Sequence, residues 1–219
     1  MRITEVKKRR KSLFAIVFEQ GTEIPKGVET DSLGLAVLDA GLVAEKNLCT
    51  DTEITESEFL ALVKESQYRR AKSRALWYLS RGDLSEKELY LKLKRSFPEQ
   101  AARAATDKMV EYGYINDERY AARLAEALLL GKKVGVAEAR VVMASKGIDR
   151  EVAKYALEDV ECDTVSVIEE LINKKYKNRL AEEKGAQKVI AALARRGFSF
   201  SDIREALKNL DCEAEIYED

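Results

Sequence analysis

The sequence predicts a mainly α-helical protein. It reads as three tandem three-helix repeats forming an extended, curved array, preceded by a small α+β segment. Three observations carry that reading. Charged residues make up 35% of 219 residues against only two prolines, the composition of a chain rich in solvated helices. Capping-box signatures at Thr55–Glu58 and Ser85–Glu88 each precede an apolar run. One pattern also recurs: RSFPEQAARA from Arg95, KGIDREVAKYAL from Lys146 and RGFSFSDIREAL from Arg196 each place a basic, a small and an apolar residue before a helix start. The small residues Ser96, Gly147 and Gly197 are 51 and 50 positions apart, a period long enough for about three helices.

Residues 1–66 read as a separate segment. RITEVKKRRK and SLFAIVFEQG are rich in β-branched and aromatic residues and predict a hairpin or small sheet. Pro25 and Gly27 mark a loop, after which Thr30 or Asp31 is placed to cap a short helix over SLGLAVLDAG ending at Gly41. LVAEKNLCTDTE reads as irregular, and the Thr55 box opens a helix over FLALVKES.

The first repeat, 67–115, begins with a helix over 67–81 whose Tyr68, Ala71, Ala75, Tyr78 and Leu79 share one arc. Its second helix carries Leu89, Leu93 and Phe97 on one face. Its third starts at Pro98, a first-turn proline, and runs to Gly113. The second repeat, 116–162, starts at Asn116 and Asp117 and continues with helices at 136–146 and 149–159. The third, 163–212, has helices at 163–176, 182–196 and 200–210, followed by an acidic tail, 213–219.

Composition removes whole classes of chemistry. The chain has no histidine, so His-based triads and His-containing zinc sites are excluded. Cys49, Cys162 and Cys212 are too dispersed for a CxxC pair and read as reduced thiols of a cytoplasmic protein. No GxxxxGK, GxGxxG or GxSxG occurs. The acid pairs Asp117–Glu118 and Glu182–Glu183 sit at predicted helix starts, where the helix dipole accounts for them. No catalytic residue, metal, cofactor or small-molecule substrate is expected. No apolar run reaches 18 residues, and the start MRITEVKKRRK has no signal-peptide core. The net charge of −1 conceals an uneven distribution. Residues 67–160 hold 19 basic and 14 acidic residues, whereas 1–66 hold 9 and 12 and 161–219 hold 10 and 13. A polyanionic or acidic partner is expected at the middle of the chain.

LSEKELYLKLKRSF, EYGYINDERYAARLAEAL, MASKGIDREVAKYALEDV, NKKYK and IAALARRGFSFSDIREAL, in that order, resemble the running pattern of the RecX family over roughly residues 67–210. The resemblance implies three tandem three-helix units and no enzymatic activity. It also implies binding in the helical groove of the RecA–DNA filament, with inhibition of strand exchange, ATP hydrolysis and filament growth. Two features depart from the family pattern. Ser96 stands where glycine is frequent, and Ala137 and Glu138 stand where a basic pair is frequent.

Candidate contact residues follow from charge and spacing. Arg70, Arg74, Trp77 and Arg81 form one stripe opposite the apolar arc of 67–81, suited to phosphates, carboxylates or a stacked base. Lys87, Leu91 and Lys94 share the outer face of the next helix, with Lys92 and Arg95 beside it. Arg119 and Arg123 are one turn apart, and Lys132 and Lys133 follow the apolar run ALLLG. The run Lys7–Lys11 reads as an exposed hairpin turn that keeps an edge soluble or touches phosphate. Tyr112, Tyr114 and Tyr120 read as core around Gly113. Three function classes remain at this point: a regulator of a recombinase filament, a stand-alone DNA-binding protein, and a helical protein-binding scaffold.

Overall fold

Runs rich in β-branched and aromatic residues build the N-terminal sheet. In the computed structural model, which describes residues 1–9, 12–182 and 184–210, β1 (Ile3–Lys8), β2 (Leu13–Phe18) and β3 (Ala36–Asp39) pair antiparallel in that order. The register matches Val6 with Ile16 and Phe14 with Leu38. Arg10 and Lys11 of the basic turn lie outside the described residues.

The helix expected over SLGLAVLDAG is instead β3. Ala36, Val37 and Leu38 are all buried, a continuous apolar run that suits a strand paired on one edge and covered on its face. Asp31 caps no helix: its carboxylate accepts the N–H groups of Leu33 (2.9 Å) and Leu35 (3.0 Å), closing a turn, and takes the Arg9 guanidinium at 2.8 Å. The true cap is Asp39, which accepts from Leu42 N–H and opens α1 (Ala40–Glu45). Gly41 therefore lies inside a helix, and residues 42–45 are helical rather than irregular.

Thr55 caps α2 with the full reciprocal box to Glu58. The two helical stretches expected on either side of residue 66 are a single helix, Glu56–Leu79. Its first half packs Phe59 and Val63 on the sheet with Ile3, Ile16 and Leu38, Phe18 meeting Phe59 edge to face at 4.9 Å. Buried Ser66 accepts the Asp39 N–H at 2.8 Å, tying strand to helix at the point where the sheet ends. The second half presents Ala71 and Ala75 to the first three-helix core, with α3 (Glu86–Lys94) and α4 (Glu99–Glu111). Pro98 is the N-cap of α4 rather than a first-turn residue.

The chain divides into two bodies, 1–115 and 116 onward. The second holds α5 (Asp117–Glu126), continued by a π-helical turn Ala127–Gly131, α6 (Val136–Ser145) and α7 (Arg150–Glu158). Then come α8 (Thr164–Leu171) with a π-helical turn Ile172–Tyr176, α9 (Lys177–Leu180), α10 (Gly185–Arg195) and α11 (Phe200–Asn209). The repeat is written in the core: Leu89, Ala139 and Val189 are buried on the middle helices, as are Leu93, Met143 and Leu193, each set at intervals of 50. The residues after 210, including Cys212 and the acidic tail, lie outside the described residues, as does Glu183.

The change from 51 to 50 has a cause. In the second and third repeats the middle helix ends on a left-handed glycine, Gly147 (φ +82°) or Gly197 (φ +86°). Ile148 N–H then reaches Met143 C=O, and Phe198 N–H reaches Leu193 C=O, five residues back. In the first repeat Phe97 N–H reaches Leu93 C=O, only four back, and Ser96 keeps a negative φ. That turn is one residue shorter and needs no left-handed residue, so serine fits at position 96 without strain.

Candidate functional site

The stripe on the second half of α2 follows directly from helix geometry. Ala71 and Ala75 are fully buried, so Trp77, two residues on from Ala75 and roughly 200° around the helix, faces solvent. Trp77 is 43% exposed, a large exposure for an indole on a helix with a core behind it. The Arg81 guanidinium carbon lies 4.2 Å from its ring centroid and that of Arg74 lies 5.2 Å away. Neither arginine forms an ion pair among the described residues. Tyr78 packs edge-on to Trp77 at 5.2 Å and carries the Lys92 ammonium at 5.4 Å, which brings α3 into the cluster.

Arg70 is separated from that cluster by its chemistry. It makes a bidentate pair with Glu29 at 2.7 and 3.0 Å and lies over the Phe97 ring at 5.8 Å, with its side chain only 19% exposed. This arginine holds the loop before β3 against α2. On α3, Lys87 and Arg95 are exposed and Leu91 is 47% exposed. Lys94 is already engaged: it donates to Glu99 at 3.1 Å, a bond that raises the lysine pKa and lowers that of Glu99. In the second body Arg119 and Arg123 are exposed on α5 and Lys132 is exposed after the π-helical turn. Lys133 is paired with Glu170, which also takes Lys174; these two bonds hold the Glu170 carboxyl down to about 2.

Of the twelve sequence candidates, the structure thus gathers Arg74, Trp77 and Arg81 into one exposed cluster and assigns Arg70, Lys94 and Lys133 to intramolecular pairs. Tyr112 and Tyr114, expected as core, are 51% and 56% exposed and stack edge to face on one another at 6.0 Å. Tyr120 does pack against the second core. The sequence reading missed Tyr78 as the ring that links Trp77 to Lys92, because it sat on the apolar arc; its position one residue after Trp77 was the available signal. Among the described residues no cluster of His, Cys, Asp or Glu could hold a metal, and no helix is long and apolar enough to cross a membrane. Cys49 and Cys162 are free thiols, and burial pushes Cys162 above the ordinary thiol range.

An indole flanked by two unpaired guanidiniums can grip an oxyanion or stack against a flat group. Each cation–π contact contributes about 0.5–1 kcal/mol at an exposed site, so such a cluster adds modestly to a larger interface. The fold and this surface define a tandem three-helix-repeat protein whose candidate site is an exposed face.

Comparison with known proteins narrows that class. The model of the RecX first three-helix domain matches residues 71–109 and that of the RecX third three-helix domain matches residues 161–207. The regulatory protein RecX of Caldanaerobacter subterraneus subsp. tengcongensis is 30% identical over 213 residues, covering 94% of this chain and 98% of that protein. That of Clostridioides difficile (strain 630) is 30% identical over 172 residues, covering 77% and 81%. A crystal structure of a regulatory protein RecX, 23% identical, shares the fold with a TM-score of 0.66 over 95% of this chain and 98% of the other. The chain belongs to the RecX family of regulatory proteins.

Proposed function

We propose that this chain regulates a RecA-type recombinase by binding the RecA–DNA filament along its helical groove, and that it acts by contact rather than by catalysis. Family membership supports the choice of partner. The observation that carries the choice of surface is the exposed Arg74–Trp77–Arg81 cluster. Modest contacts repeated along tandem units give affinity without a deep pocket. Occupying the groove blocks the second DNA strand and alters protomer packing, so strand exchange, ATP hydrolysis and filament growth fall. A filament on chromosomal DNA places the protein in the cytoplasm.

The test is the DNA-stimulated ATP hydrolysis of the cognate recombinase. Wild-type chain inhibits it; Arg74→Glu with Arg81→Glu weakens inhibition while helicity stays unchanged. Full inhibition by that variant would remove the stripe from the interface. Arg70 is not part of that variant: its guanidinium is held by Glu29, so its loss would disturb the loop before β3 as well as the surface.

The exposed indole also suits a second reading, a DNA-binding protein that needs no recombinase. A bare-DNA mobility shift at several salt concentrations separates the two. Binding that falls steeply with salt, without recombinase and without effect on its ATP hydrolysis, favours the second.

A further inference from the structure

The internal repeat allows one groove to be compared with its own counterparts. Between α6 and α7 lies an open groove of about 630 Å³, lined by Val141, Ala144, Ile148 and Ala153 and rimmed by Arg140, Arg150, Glu151 and Lys154. Val141 is 63% exposed, and Arg140, Arg150 and Lys154 are all exposed. Neither arginine forms an ion pair among the described residues.

The buried middle-helix pairs Leu89/Ala139 and Leu93/Met143 fix the correspondence at 50 residues on those helices. The N-caps Pro98 and Asp149 fix it at 51 on the helices that follow. Arg140 thus corresponds to Tyr90, Val141 to Leu91, Arg150 to Glu99 and Lys154 to Arg103. In the first repeat those residues engage one another across the corresponding two helices. Arg103 lies over the Tyr90 ring at 4.3 Å, Tyr90 Oη donates to Glu99 at 3.1 Å, and Lys94 donates to the same carboxylate. There a ring and a carboxylate are held together by two cations.

The second repeat keeps the distal cation as Lys154 but replaces both the ring and the carboxylate with arginines. Ala144 stands where the first repeat has Lys94, so one of the two gripping cations is gone; what remains is a rim of three cations with no ring or carboxylate of the chain at the matching positions. In the third repeat Ile190 and Phe200 match Arg140 and Arg150, so only the distal cation, Arg204, is kept there.

We propose that the α6–α7 groove of the second repeat docks an acidic peptide of a partner protein, one that presents an aromatic side chain beside a carboxylate. The ring takes the place Tyr90 holds in the first repeat, over Val141 and Ala144. The carboxylates meet Arg140, Arg150 and Lys154, which outnumber the single rim acid Glu151. The apolar floor is what selects a peptide over a phosphate backbone, since phosphate gains nothing from burying the exposed Val141 and Ala144. The groove belongs to the second body and does not depend on the filament reading, so its test uses no recombinase.

The probe is a fluorescent nonapeptide of alternating glutamate and aspartate around one central tyrosine, titrated against the full chain by anisotropy. Saturable binding is expected, weakened at least tenfold by Arg140→Glu with Arg150→Glu. It should be weakened similarly when the central tyrosine is changed to serine. A second variant, Arg140→Tyr with Arg150→Glu, installs the first repeat's own ring and carboxylate; it should abolish probe binding and leave the melting temperature unchanged or higher. Equal binding by either double variant overturns the proposal, as does equal binding of the serine peptide, which would reduce the site to charge alone. Displacement of the probe by a single-stranded oligonucleotide at equal charge concentration also overturns it, in favour of phosphate. The chain carries Tyr217 beside Glu218; if Tyr217→Ser with Glu218→Gln raised probe affinity, the occupant would be the chain's own segment and the assignment to a partner would fall.

Discussion

The two bodies hold their modules together by different means. In the first, the N-terminal sheet and the first three-helix core share one uninterrupted helix, α2, so the joint is covalent and needs only a continuous helical sequence. In the second, the second and third repeats are joined by backbone laid against backbone. Gly135 N–H donates to Arg196 C=O at 2.8 Å and Ala137 N–H to Gly197 C=O at 3.3 Å. The turn of the third repeat thereby caps the first N–H groups of α6, which has no side-chain cap of its own. The Arg196 guanidinium returns the contact by donating to the carbonyls of Lys132 and Lys133 at 2.8 and 2.9 Å. A shared helix tolerates many side chains; a backbone contact tolerates almost none.

The largest expected effect therefore comes from breaking the backbone joint. A Cβ on Gly135 would sit 2.0 Å from Gly197 O, although the Gly135 φ of −76° suits any residue. Gly135→Ala isolates the steric term and should cost about 1–3 kcal/mol, the range of an overpacked site. Chemical denaturation would read it, and a loss under about 0.5 kcal/mol, the level of an ordinary surface change, would show that the repeats are not locked by this contact. A smaller effect is expected at the covalent joint. Thr55→Ala removes the cap of α2 and should cost about 1 kcal/mol, with the rest of the helix retained by circular dichroism.

The smallest effect tests the ionic link across the same repeat boundary, where Glu170 of α8 takes Lys133. Its folded pKa is lowered from 4.5 to about 2, so its contribution to stability is present in full above the unfolded value and is lost as pH falls toward 2. Glu170→Gln should lower the melting temperature slightly at neutral pH, and the difference from wild type should vanish near pH 2. A difference that stayed constant across that window would mean the carboxylate charge contributes nothing.

How much was legible in the sequence varies by element. Capping boxes at Thr55 and Ser85 were readable because a cap is a local interaction among four residues. The strand at 36–39 was not, since Ala36–Leu38 reads equally as buried helix or buried strand, and only its pairing with β2 decides. The basic stripe on α2 was legible as a spacing. That Arg70 leaves it for Glu29, 41 residues away, was not, because an ion pair between distant segments has no local signature. The groove of the second repeat was missed for another reason. Arg140, Val141, Arg150 and Lys154 are ordinary residues in isolation and acquire meaning only against Tyr90, Leu91, Glu99 and Arg103.

By itself the sequence determined the helical class, the period near 50, the absence of histidine chemistry and the family, because each depends on residue identity and spacing along the chain. The tertiary structure alone decided which cations are available and which are consumed, and which side chains meet across a groove and which leave it open. Those properties belong to residues that meet across turns and repeats, where the free energy of a charge is set by its neighbours in space.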